Sequence, residues 1–103
     1  MLSKHRAAQE GIVEVTFELP DSFWADEISV VGDFNGWDQR ANPMHHRRDG
    51  GWTLTLALGA DQEYEFRYLI DGRDWMNDAE ADGYRPNQYG TDNSVVSTGL
   101  SDT

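Results

Sequence analysis

From Val13 to Leu19 every second side chain is apolar. Val13, Val15, Phe17 and Leu19 share one face, and Glu14, Thr16 and Glu18 share the other. A period of two belongs to a strand with one face in a core and one in water, because successive side chains leave extended backbone on opposite sides. Pro20, which has no amide proton for a ladder, closes the run. The pattern recurs: Trp52, Leu54, Leu56 and Leu58 alternate with Thr53, Thr55 and Ala57, and Tyr64, Phe66, Tyr68 and Ile70 alternate with Glu63, Glu65, Arg67 and Leu69. "EISVVGDF" supplies a more apolar strand ending at Gly32, "RDWMN" a short one and "NSVVST" a last one. The one place where a helical turn is expected is Asp78 to Asp82.

Several short strands separated by turn signals predict an all-β chain, an antiparallel sandwich of immunoglobulin type. Val13, Val15, Phe17, Val30, Leu54, Leu56, Phe66 and Tyr68 are expected inside. The short connector "GADQ" predicts an antiparallel hairpin between the strands on either side of it. Asp71-Gly72 predicts a second hairpin turn. With 103 residues there is room for one core. Residues 1–10, polar and aperiodic, read as a loose arm, 11–98 as the sandwich and 99–103 as a tail that frays.

Nineteen acidic residues against eight Lys and Arg give a formal net charge of −11. Such a surface repels phosphate backbones and anionic membranes, so neither nucleic acid nor membrane is an expected partner. A neutral ligand meets no such repulsion. No apolar stretch approaches the roughly 18 residues of a spanning helix. The opening "MLSKHRAAQEG" lacks the apolar core of a signal peptide, and the chain has no cysteine. A cytoplasmic location is the expectation.

Motifs for catalysis are sparse. His5 lies in the arm, and His45-His46 in a loop with no cysteine or acid at a ligand spacing, so no metal is expected there. No glycine-rich phosphate cradle follows a strand and opens a helix, and no cofactor is expected. Asp78, Glu80, Asp82 and Gly83 match the first half of a calcium loop, but Tyr89 occupies the position that needs a bidentate acid.

The aromatics are more informative. Trp52 alternates in phase with Leu54 and reads as core; Trp24, beside Phe23, reads as a cover for one end of the sandwich. Trp37 and Trp75 instead flank the turn pairs Asn35-Gly36 and Asp71-Gly72. Each is either a structural plug or half of a sugar platform. A pyranose has an apolar face that suits an aromatic plane and a rim of hydroxyls that needs hydrogen-bonding partners. Arg67, out of phase with Phe66 and Tyr68, faces away from the core, and "YGTDNS" adds Tyr89 as a further ring and Thr91 and Asn93 as short hydrogen-bonders.

"FELPDSFWADEISVVGDFNGWD", "FRYLIDGRDWMND" and "NQYGTDNSVV" together resemble the family-48 carbohydrate-binding modules over about residues 12–97. These include the early-set N-terminal domains of isoamylase and glycogen branching enzyme, and the glycogen-binding domain of the AMP-activated protein kinase β subunit. The resemblance implies a non-catalytic module for α-1,4-glucan (glycogen, starch or maltooligosaccharide). Trp37 and Trp75 match the family's stacking tryptophans, while Thr91 and Asn93 match its polar pair. Arg67 stands where the kinase domain has a lysine. Tyr89 stands where that domain has a leucine, and it either stacks on a sugar or closes the site. With no catalytic barrel in the sequence, a stand-alone module is expected. The alternatives are an interaction or accessory module of the same fold, serving a glucan-metabolising enzyme with a vestigial sugar site, and a small glycoside-acting enzyme.

Overall fold

The computed structural model describes residues 2–22 and 25–99, and Trp24 and Phe23 lie outside them. Two antiparallel sheets pack as a sandwich. One holds β1 (Leu2–Arg6), β2 (Ile12–Leu19), β5 (Trp52–Gly59) and β4 (His45–His46) in the order β1-β2-β5-β4. The other has the order β3-β6-β9-β8, made of β3 (Ile28–Gly32), β6 (Glu63–Ile70), β9 (Asp92–Ser97) and β8 (Gly83–Pro86). The short β7 (Asp74–Met76) pairs with β6 beyond the end of β9. Among the described residues no helix is long and apolar enough to cross a membrane.

Alternation places the core as expected. Val13, Val15, Phe17, Val30, Phe66 and Tyr68 are buried between the sheets, while Leu54 and Leu56 are half-buried against them. Phe17 and Phe66 meet edge-on at 5.1 Å across the sandwich. Buried aromatic rings of this kind contribute on the order of 1.5–3 kcal/mol each by area alone. Trp52 is buried, as its phase requires, and the exposed His46 stacks on it at 4.1 Å and 2°.

Three expectations are corrected. The "GADQ" connector joins no hairpin: β5 pairs with β2 along its whole length, from Ile12↔Gly59 to Leu19↔Trp52, and β6 pairs with β3. The chain changes sheets at Ala60–Gln62, where Asp61 takes a positive φ of 58°. Buried Thr98 fixes this corner, its Oγ1 donating to the Gly59 carbonyl and accepting the Gln62 amide. A short linker serves a tight turn or a sheet-to-sheet corner equally well, and the long-range partners decide. Within the segment expected to be a loose arm, Leu2–Arg6 is a strand that pairs with β2 from Leu2↔Phe17 to Arg6↔Val13. Backbone bonds need no alternating side chains, and an edge strand takes polar ones readily. Finally, Asp78 to Asp82 forms a turn rather than a helix.

That turn is tied down by a buried polar network. The Tyr68 hydroxyl donates to Asp78 Oδ2 at 2.6 Å, and Asp78 Oδ1 accepts the Glu80 amide at 2.8 Å. Burial, and then the bond to Asp78, hold the Tyr68 phenol protonated far above its usual range. Asp82 accepts Lys4 Nζ at 2.6 Å and the Ser97 amide at 2.8 Å. Two of the acids in the half-matched calcium loop, buried Asp78 and exposed Asp82, are thus engaged by other groups of the protein.

Candidate functional site

β6 serves two faces. Phe66 and Tyr68 point into the core, so alternation sends Glu65, Arg67 and Leu69 to the outer side of the sheet. There the register sets Val31 opposite Arg67, Val95 opposite Glu65 and Trp75 opposite Leu69. Val31, Leu69 and Val95 are buried without belonging to the inter-sheet core. They are buried apolar positions on the outer face of this sheet. Trp75 is 39% exposed, and the Arg67 guanidinium lies over its ring at 5.8 Å from the centroid, within cation–π range. Arg67 Nε is buried without a hydrogen-bond partner.

β7 reaches this face through the hairpin expected at Asp71-Gly72. Both residues have positive φ, 51° and 71°, as mirror-image hairpin turns require, and the Arg73 amide bonds the Ile70 carbonyl at 3.1 Å. Asp71 Oδ1 also accepts the Asp26 and Glu27 amides, anchoring the start of β3.

The turn "GDFNGWD" brings up the second tryptophan. Gly32 leaves no room for a Cβ, which would sit 2.8 Å from Phe66 Cβ and closer still to the Glu65 carbonyl. A single 3-10 turn, Asp33–Asn35, follows. Asn35 fastens it, accepting the Gly32 amide through Oδ1 and donating to the Val30 carbonyl and to Asn42. Gly36 and Trp37 then both take left-handed φ, 65° and 60°. Their amides bond back to the Asp33 and Gly32 carbonyls, the paired bonds of a Schellman ending. The half-buried Trp37 ring is oriented by its Nε1–H, which donates to Asp33 Oδ1 at 3.1 Å. Asp33 Oδ2 accepts the Glu65 amide at 2.8 Å, so one carboxylate joins the indole to β6.

The opposite wall is the loop between β8 and β9. Tyr89 stands at its tip, 80% exposed. Asn93 is buried, its amide donating to Glu65 Oε1 and its Oδ1 accepting from Asn87. The expected ligand-bonder is therefore engaged mainly within the protein. Glu65 is held further by Arg85, whose guanidinium Glu63 and then Glu65 raise above its ordinary value.

Trp37, Trp75, Arg67, Tyr89, Thr91 and Asn93 all line one open groove of about 820 Å³. The structure brings every one of the candidate residues together. Sequence reasoning missed Asp33, Gln39, Glu65, Asn87 and Gln88, which line it too. Glu65 was discoverable, since it lies two residues from Arg67 on the same strand face. Asp33 and Asn87 are visible only through their bonds. The result is an aromatic and cationic surface bordered by amides, carboxylates and a hydroxyl. His5, His45 and His46 lie outside the groove, and among the described residues no group of three or more His, Cys, Asp or Glu could hold a metal.

The family model described as carbohydrate-binding module 48 (isoamylase N-terminal domain) matches residues 14–92. A 1,4-alpha-glucan branching enzyme of Nitrosomonas europaea is 40% identical over 79 residues, which are 70% of this chain and 10% of that enzyme. Its counterpart in Nitrosospira multiformis is 38% identical over 78 residues, 72% of the chain and 10% of the enzyme. In that of Burkholderia pseudomallei the identity is 52% over 44 residues, 41% and 6% of the two. The matched region is thus about a tenth or less of the length of these curated relatives.

Proposed function

The chain belongs to the carbohydrate-binding module 48 family, and from that premise we propose that it binds α-1,4-linked glucan without transforming it. Trp37 and Trp75 are the stacking surfaces, Tyr89 a third ring facing them, and Arg67 and Thr91 the hydrogen-bonding groups. Asn93 supports them from beneath. The observation that carries this reading is the convergence of all these side chains, from four separate segments, on one groove. Of the large apolar side chains exposed among the described residues, Trp75 and Tyr89 line that groove and only Tyr84 does not. That distribution favours a sugar platform over a docking patch elsewhere. The similarity to 1,4-alpha-glucan branching enzymes supports the same ligand class, and a role as an accessory module beside such an enzyme.

Retardation in a glycogen-containing native gel tests the reading, together with tryptophan fluorescence titrated with maltoheptaose. Stacking at about 0.5–1.5 kcal/mol per ring and hydrogen bonds at about 1 kcal/mol each, set against chain immobilisation, place the Kd at roughly 10 μM to 1 mM. A polymer binds more tightly through many sites. A folded protein that responds to neither millimolar maltoheptaose nor glycogen refutes it.

A further inference from the structure

The bare wall of the groove raises a question. Tyr89 is 80% exposed at a loop tip, and its hydroxyl accepts from Gln88 Nε2 at 2.8 Å. The backbone of its loop is organised from within by the Asn87 side chain. Asn87 Oδ1 accepts the Tyr89 amide at 2.9 Å and the Thr91 amide at 3.2 Å. Asn87 Nδ2 donates to Thr91 Oγ1 at 2.8 Å and to Asn93 Oδ1 at 3.1 Å. Its backbone closes the same loop, the amide bonding the Thr91 carbonyl at 2.8 Å. A carboxamide has two donor hydrogens and two acceptor lone pairs, so Asn87 is saturated and has nothing left for a ligand.

We propose that Asn87 is a positioning residue that pre-organises Tyr89 as the fixed wall of the groove. Its effect on a bound chain is carried by that ring. The proposal rests on the glucan reading above. The Asn87 side chain spans the loop and, through Asn93, reaches Glu65 on β6 at 3.1 Å. The wall is thereby referenced to the same strand that carries Arg67. A ring held in place before binding loses less freedom on binding, which is how a rigid site gains affinity without a new contact. Thr91 is oriented too: with its Oγ1 accepting from Asn87, its own hydroxyl proton is left to point elsewhere.

The test is a mutant cycle read with maltoheptaose, with amide exchange followed in the absence of sugar. Asn87→Ala should weaken affinity about tenfold in the wild-type background and less than about twofold in a Tyr89→Ala background. Equal losses in the two backgrounds overturn the proposal. Without sugar, the Tyr89 and Thr91 amides should exchange at least about tenfold faster in Asn87→Ala. They should stay near wild type in Asn87→Asp, which keeps the accepting oxygen. Unchanged exchange in Asn87→Ala also overturns it. A folded wild type that ignores maltoheptaose refutes the glucan reading instead, and exchange alone then decides whether Asn87 fixes the loop.

Discussion

Trp37 holds a backbone conformation that glycine adopts freely and a bulky residue does not. Its φ of 60° follows Gly36 at 65°, so two successive residues lie in the left-handed region. For a residue with a Cβ this conformation costs about 1–2 kcal/mol. Replacement by glycine removes that cost but adds chain entropy to the unfolded state, taking back about 0.5–1 kcal/mol. Replacement by alanine keeps the strain. Both variants lose the half-buried ring and its bond to Asp33, so those losses cancel between them. Trp37→Gly should therefore be more stable than Trp37→Ala by about 0.5–1 kcal/mol, or about 2–6 °C in Tm for a domain of this size. Neither should be retarded by glycogen. Thermal and urea melts followed by circular dichroism, run beside the native gel, measure both properties. An alanine variant as stable as the glycine variant refutes the strain argument. Retardation of either variant refutes the ring's role. A strained residue whose removal costs function more than stability is the pattern expected where geometry serves a site.

Tyr68→Phe should destabilise the fold by about 1–3 kcal/mol in urea, because buried Asp78 loses a donor. The raised Tyr68 value has a definite sign: the folded state keeps the proton when the unfolded chain loses it. Stability is thus full below about pH 10 and falls as pH rises above it, and Tyr68→Phe should flatten that alkaline limb in denaturation against pH. Gly32→Ala should cost about 1–3 kcal/mol, since its Cβ meets the Glu65 carbonyl, and should perturb the Trp37 turn in NMR spectra. Raising salt from 50 to 500 mM should leave the maltoheptaose Kd within about twofold, because a neutral ligand releases no condensed ions; a tenfold loss in titration calorimetry refutes that.

Strand faces were legible in the sequence because alternation is a local property. Val13, Phe17, Phe66 and Tyr68 went inside, and Arg67 outside, on periodicity alone. Pairing was less legible. The β5–β6 link is short enough for a hairpin, yet the chain crosses between sheets there, and the deciding partner, Thr98, lies 36 residues beyond Gln62. β1 escaped notice because an edge strand is held by backbone bonds, which leave no periodic trace. In the groove, rings and cation stood out by residue type. Asn87 and Asp33 did not, because an amide or carboxylate becomes a positioning group only through partners that folding supplies. Asn93 lines the groove as its residue type suggested, and its amide is also engaged there by Glu65 and Asn87, which residue type alone does not show.

The two faces of β6 limit how this domain can change. Phe66 and Tyr68 fill the core while Glu65 and Arg67 line the groove, and a slip of one residue against β3 would exchange them. Errors in the groove lining are thus tied to errors in the core, and the strand has little freedom to vary. The Asp33–Trp37 turn and the Asn87–Thr91 loop stand outside that ladder. Length and residue type can change there without disturbing the register. Variation in ligand preference among domains of this build should therefore concentrate in those two segments, with the strand between them kept as a common ruler.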